Sequence, residues 1–222
     1  VRRADHLPDV GRLLAVVAHP DDETFGLGGI IATLVDTSAQ VDVLCFTHGE
    51  ASTLGRHDGE DLGVTRGREL TAAGRVLGVG QTQLLDWPDG QLADQPVAEL
   101  AVPVAAMARE TGADALLAFD ESGITGHPDH RHATEAAHTV AHAMRLPLYA
   151  WAIPEPLAAR LSAEFDTAFA GRPPNELDLA VPSNRARQRR AIACHVSQAT
   201  DNPVLWRRLE LAGDTDHLRL LS

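Results

Sequence analysis

Lysine is absent from this chain of 222 residues, and all 19 of its Lys-plus-Arg positions are Arg. With the abundant Ala, this reads as compositional bias rather than mechanism. Positive charge is scarce altogether, and the formal net charge is −12. Nonspecific nucleic-acid binding is thereby disfavoured, because neutralising phosphates takes a basic surface. Cysteine is nearly missing too. Cys45 and Cys194 are too few for a disulfide framework, and their apolar neighbours point to buried thiols. No apolar run approaches the roughly 20 residues that span a bilayer, and no signal-like apolar core follows Val1-Arg2-Arg3-Ala4-Asp5. These absences lead to the expectation of a cytoplasmic protein without a membrane span. Hydrophobic residues make up 44% and charged residues 23%, proportions of a packed core rather than of disorder. The length suits one domain over 1–222 better than two.

What is present is an alternation of strand-like and helix-like segments. Strands are expected at residues 12–18, 41–46, 82–87, 113–119 and 148–153. Helices are expected at 27–37, 65–77, 96–110 and 129–143, with the Leu77-Gly78-Val79-Gly80 segment ending the second. Such alternation predicts an α/β fold: a Rossmann-like, open, mostly parallel sheet with helices on both faces. A polar Gly-rich loop is expected over 51–64, and Pro88-Asp89-Gly90 is a turn signal. Beyond Pro154 the pattern weakens to a loop near 171–175, a short strand at 177–181 and a helix from Asn184 to Ser197.

Chemistry concentrates in two short clusters. His19-Pro20-Asp21-Asp22-Glu23 follows the first strand, and His127-Pro128-Asp129-His130 follows the fourth. Open α/β sheets place their ligand crevice at such strand ends. His19 and Asp22 are three apart, as are His127 and His130, so either pair could chelate a cation. His and Asp donors that leave one coordination position open are the pattern of a catalytic zinc site. Taken alone, His-Pro-Asp-Asp reads equally well as a helix cap with a solvated His; the pairing of two clusters favours a metal site.

These clusters resemble the PIG-L/LmbE-like zinc deacetylases, the GlcNAc-PI de-N-acetylase-like family. Thr47-His48-Gly49-Glu50, Arg66-Gly67-Arg68-Glu69, Pro88-Asp89-Gly90 and His195-Val196-Ser197-Gln198 carry the likeness further. The resemblance implies the Rossmann-like fold and assigns zinc to His19, Asp22 and His130. It implies Asp21 as general base, His127 as electrostatic partner of the oxyanion, Asp129 as the residue orienting His127, and Arg66 as support for that Asp–His pair. An Asp beside His127 would favour its imidazolium form. The implied activity is removal of an acyl group, acetyl foremost, from the amide nitrogen of an amino sugar or similar small metabolite. The chain is shorter than the family's mycothiol enzymes, which argues against that particular substrate.

Weaker signals have competing readings. Glu50 is a sugar-hydroxyl ligand or a loop cap; Asp89 touches substrate or only shapes a turn; His195 contacts substrate from the C-terminal helix or packs. His132, His138 and His142 lie on the helix expected at 129–143 and read as surface or packing residues, and His48 and His57 carry no assignment. Gly26, Gly28 and Gly29 have the wrong spacing for a dinucleotide fingerprint. An amidase of another acyl amine in secondary metabolism, and a noncatalytic zinc or small-molecule binder of the same fold, stand as alternatives. His/Asp/His also suits Fe(II), Co(II) or Ni(II). Homo-oligomerisation is left open.

Overall fold

A computed structural model describes residues 2–3, 10–54 and 61–221. The strands are β1 (Arg2–Arg3), β2 (Arg12–Val17), β3 (Gln40–Thr47), β4 (Thr82–Trp87), β5 (Ala115–Phe119), β6 (Leu148–Pro154), β7 (Gly171–Arg172), β8 (Leu179–Pro182) and β9 (Thr215–Leu221). The helices are α1 (Asp22–Phe25), α2 (Gly28–Asp36), α3 (Leu62–Leu77), α4 (Val97–Thr111), α5 (Gly123–Gly126), α6 (Pro128–Met144), α7 (Glu155–Phe165), α8 (Arg185–Ile192), α9 (Val196–Ala199) and α10 (Pro203–Ala212).

The sheet runs β1-β8-β9-β6-β5-β2-β3-β4, with β7 paired to β6 off that path. Strands β4, β3, β2, β5 and β6 are parallel, and β9 enters antiparallel between β6 and β8. Alternating side chains of β2 divide between two cores. Leu13, Ala15 and Val17 pack with Leu27, Ile30, Ile31, Leu70 and Leu77 on one face. Leu14 and Val16 pack with Leu100, Val104, Met107, Ala137 and Val140 on the other. A strand covered on both faces reads as an unbroken apolar run, which is what Leu13–Val17 shows. Truncating one of these buried leucines to Ala costs about 2–5 kcal/mol.

Order reverses at β2. The chain runs outward through β3 and β4, then returns to lay β5 on the other side of β2, in register Leu13↔Ala115 and Ala15↔Leu117. A crevice opens at the carboxyl ends of strands at such a switch point. His19 lies just past β2 and His127 to His130 lie past β5, so topology alone carries the two clusters to one place.

Several expectations shift. Of the loop expected over 51–64, residues 62–64 are instead helical: the Asp61 carboxylate accepts the Val64 N–H at 3.1 Å and starts α3; residues 55–60, including His57, lie outside the described residues. The single helix expected from Asn184 to Ser197 is two, α8 and α9, parted near residues 193–195. Cys45 is buried as expected, whereas Cys194 is only half-buried. Helices α7 and α10 and strand β9 were not expected. Among the described residues no helix is long and apolar enough to cross a membrane.

Candidate active site

The first cluster is a strained turn. Asp21 has φ 112° and ψ −30° and caps the one-turn helix α1. A non-glycine residue there costs on the order of 1–3 kcal/mol and persists only when its surroundings enforce it. They do. The Asp21 N–H donates to Glu23 Oε2 at 2.9 Å, and its carbonyl accepts from the Thr24 N–H and Oγ1, each at 2.9 Å. The second cluster starts a helix conventionally: Pro128 occupies the first turn of α6, and the Asp129 N–H donates to His127 Nδ1 at 3.2 Å.

Three donors meet where the clusters converge. His19 Nδ1 lies 3.2 Å from His130 Nε2 and 3.5 Å from Asp22 Oδ2, and His130 Nε2 lies 3.2 Å from Asp22 Oδ1. Zinc bonds of about 2.0–2.2 Å at tetrahedral angles put donor atoms roughly 3.3–3.6 Å apart. One ligand atom from each of the three residues lies within 4.8 Å of the other two, so the triad is compact enough to hold one divalent cation. His19, His127 and Asp129 offer a second grouping that shares His19. The set of His19, Asp22 and His130 has its outer partners in place. His130 Nδ1 lies 3.2 Å from the Gly123 carbonyl, and His19 Nε2 lies 3.1 Å from Asp89 Oδ1 and 3.4 Å from Asp129 Oδ2. Such partners orient imidazole ligands and fix their tautomers.

Electrostatics agree. Burial opposes charging His19, but Asp129, Asp22 and Asp89 outweigh it and raise its pKa well above the ordinary range. Burial likewise opposes ionising Asp22, yet His130 and His19 hold its carboxyl well below the usual value. The site thus draws protons onto imidazole to balance its carboxylates, and a bound cation would displace them. Asp21 behaves differently: burial and the neighbouring Asp22 push it up to about 6 against the opposing pull of Arg66.

Arg66 departs from expectation. It was expected to support the Asp129–His127 pair, but its guanidinium lies 3.1 Å from Asp21 Oδ2 and donates to the Gly49 carbonyl at 2.7 Å and to the Pro20 carbonyl. The cause is placement: Arg66 projects from the first turns of α3 onto the first cluster. Gly49, at φ 67°, leaves room that a Cβ would take from this guanidinium. Asp129 departs as well. Its carboxylate accepts the Gly90 N–H at 2.7 Å and the Leu92 N–H at 3.1 Å and faces His19, so only its backbone N–H reaches His127. His127 is accordingly not pushed toward imidazolium. Burial, His130 and His19 lower its pKa against the pull of Asp129. Because Nδ1 accepts, Nε2 carries the proton of the neutral ring.

A cavity of about 400 Å³ opens over the triad, lined by His19, Asp21, Asp22, His127, His130, Arg66 and Asp89, with Ser52 and Gln198 at its edge. Asp89 is there, though committed to His19 and to the Ala51 N–H at 2.8 Å. Glu50 is exposed, and its Oε1 accepts the Asp89 N–H at 3.0 Å. His195 is not in the cavity. It is fully buried, with Nε2 at 2.6 Å from Glu23 Oε1, because the break between α8 and α9 turns it under α1.

Glu23, Glu69, Ser197, Gln198 and Ser52 were not assigned from sequence. Glu69 Oε1 accepts the Ser197 N–H at 2.8 Å and Oε2 accepts its hydroxyl at 2.6 Å, while Ser52 Oγ donates to Gln198 Oε1 at 2.7 Å. A signal existed: Arg66 and Glu69 share the stripe of α3 that carries Leu70, Ala73 and Leu77, so their charges fall on a face destined for burial.

The PIG-L family profile, described as GlcNAc-PI de-N-acetylase, matches residues 14–141. A 1D-myo-inositol 2-acetamido-2-deoxy-alpha-D-glucopyranoside deacetylase of Nakamurella multipartita is 32% identical, covering 84% of this chain and 79% of that protein. A Mycobacterium protein of the same name, 34% identical, is matched over 65% of this chain and 55% of its own length. Among solved structures, a teicoplanin-pathway deacetylase in complex with teicoplanin superposes with TM-score 0.72 at 20% identity, covering 94% of this chain and 97% of that one. The 4-carboxy-2-hydroxymuconate hydratase GalB of Pseudomonas putida reaches TM-score 0.73 at 17% identity, covering 95% and 96%. Because deacetylases and a hydratase share the fold, architecture alone assigns no reaction. The sequence match is what assigns the family, and this chain belongs to the PIG-L (GlcNAc-PI de-N-acetylase) family.

Proposed function

We propose that this protein is a zinc-dependent N-deacylase that hydrolyses the amide of an N-acyl, foremost N-acetyl, amino sugar or similar small metabolite. One observation carries the reading: His19, Asp22 and His130 meet at 3.2–3.5 Å with Asp21 beside them in the lining of one open cavity. The family's deacetylases supply the reaction class. Zinc held by these three residues would supply a Lewis acid for the amide carbonyl and a water that ionises near neutral pH.

The remaining steps belong to the side chains. Asp21, buried beside the donor triad with Arg66 at 3.1 Å from its carboxylate, would take a proton from the attacking water. The His127 Nε2–H is the free donor of that ring and would hydrogen-bond the carbonyl oxygen as negative charge gathers there. The protonated Asp21 would then return its proton to the departing nitrogen, leaving a carboxylate and a free amine. Asp89 and Asp129 would hold His19 in the orientation that presents Nδ1.

A single-domain cytoplasmic enzyme fits this reading, with both cysteines unpaired; it commits to no oligomeric state. Amine release from N-acetylglucosamine conjugates by zinc-loaded protein, compared with Asp21→Ala, tests it. We expect release by the parent chain and at least a ~10²-fold slower rate in the variant. An equal rate would remove Asp21 from the mechanism, and no release from any acylated amine despite bound metal would refute the deacylase reading.

A further inference from the structure

Behind the site lies a chain of buried polar groups that the reaction does not use. Glu23 and His195 are both 0% exposed, and Glu23 Oε1 lies 2.6 Å from His195 Nε2. The other carboxylate oxygen, Oε2, accepts the backbone N–H of Asp21 at 2.9 Å. On its far side His195 Nδ1 has no hydrogen-bond partner and faces Glu69 Oε2 at 4.0 Å. Isolated carboxylates are rarely buried so completely without a compensating role, since desolvation costs several kcal/mol per ion unless partners restore it.

The geometry gives a reason for the arrangement. Asp21 holds a backbone conformation, φ 112°, that few non-glycine residues adopt, and the Glu23 carboxylate accepts its amide N–H. Glu23 is in turn fixed by His195, delivered from the C-terminal segment by the break after α8. Gln188 ties the same turn down, its Nε2 donating to the Thr24 carbonyl at 2.8 Å and the Phe25 carbonyl at 3.2 Å. We propose that Glu23 and His195 are positioning residues, which hold the Asp21 main chain in its strained turn and so aim its carboxylate at the reacting water. They touch neither substrate nor metal, and their effect on rate passes through Asp21. The assignment of rate effects rests on the deacylase reading; the effect on the Asp21 backbone does not.

Two substitutions of His195 separate this role from simple packing. Glutamine places an amide N–H where imidazole Nε2 stands and can still donate to Glu23. Asparagine mimics Nδ1 and cannot reach it. In zinc-loaded protein we expect His195→Asn to lower kcat by about 10²-fold, the scale of an ångström-sized misplacement, with KM and metal stoichiometry unchanged. His195→Gln should recover most of kcat. In an Asp21→Asn background, His195→Asn should cost almost nothing further, because residues acting through one group are non-additive. Independently of activity, NMR hydrogen exchange of the Asp21 amide should be slow in the parent chain and His195→Gln, and about tenfold or more faster in His195→Asn. Equal kcat in the two variants, a full additional loss in the Asp21→Asn background, or an Asp21 amide indifferent to His195 would each overturn the proposal. If no acylated amine is hydrolysed yet the Asp21 amide responds, the deacylase reading fails while the positioning role stands.

Discussion

Residues 12–154 and residues 155–221 contribute to the site in opposite ways. The first region supplies all three members of the donor triad, His19, Asp22 and His130, together with Asp21, His127 and Arg66. The second supplies no metal donor, yet Gln188, His195 and Arg208 all reach back to the turn that bears Asp21 and Asp22, Arg208 by donating to the Phe25 carbonyl. Parallel strands bring the chemistry together at their ends, whereas helices α8 and α10 and the break between α8 and α9 hold it still. The two regions should therefore fail differently when altered.

The largest effect is expected in the first region. His130→Ala should lose the cation and, with it, essentially all hydrolysis, as metal analysis and an amine-release assay would show. In the second, Arg185→Met should instead destabilise the fold by about 3–5 kcal/mol in chemical denaturation, because it strands a buried charge. Asp216, 3% exposed, receives Arg185 at 2.7 Å, Ser183 Oγ at 2.5 Å and Trp151 Nε1 at 3.1 Å. Unchanged denaturation with lost metal would blur the division. His127→Ala should reduce kcat by roughly 10²–10³-fold with zinc retained, the usual cost of one oxyanion donor; loss of zinc as well would make His127 a ligand. Asp89→Asn should weaken metal binding by about 10–100-fold in a competitive chelator titration. A change in KM alone would return Asp89 to substrate binding.

Legibility followed the same division. Strands β2, β3, β5 and β6 lie within about two residues of their expected bounds, because strands covered on both faces announce themselves as apolar runs; the edge strand β4 matches its expected bounds although none of its residues is buried. The convergence of His19 and His130 is readable because each cluster follows a strand of one parallel sheet, whose carboxyl ends share an edge; the strand order that makes β2 and β5 neighbours is not. Strand β9 was not, since its inward positions alternate a buried Asp216 with Leu218, and a buried ion pair hides the apolar period. Helix α7 begins right after Pro154 with Leu157 and Leu161 one turn apart, a signal that the preceding weak pattern masked. The partners of Arg66, Asp129 and His195 were beyond reach for a different reason. A one-residue spacing in sequence says which groups are close, but not which way a cap or a helix break turns them.

The claim beneath both regions is that one cation sits among His19 Nδ1, Asp22 and His130 Nε2. Crystals grown with zinc, measured across the zinc absorption edge, test it directly. We expect a single anomalous peak within roughly 2.0–2.2 Å of those three donors. A peak on the other side of the His19 ring, bound instead by Nε2 with His127 and Asp129, or no peak at the triad, would contradict it.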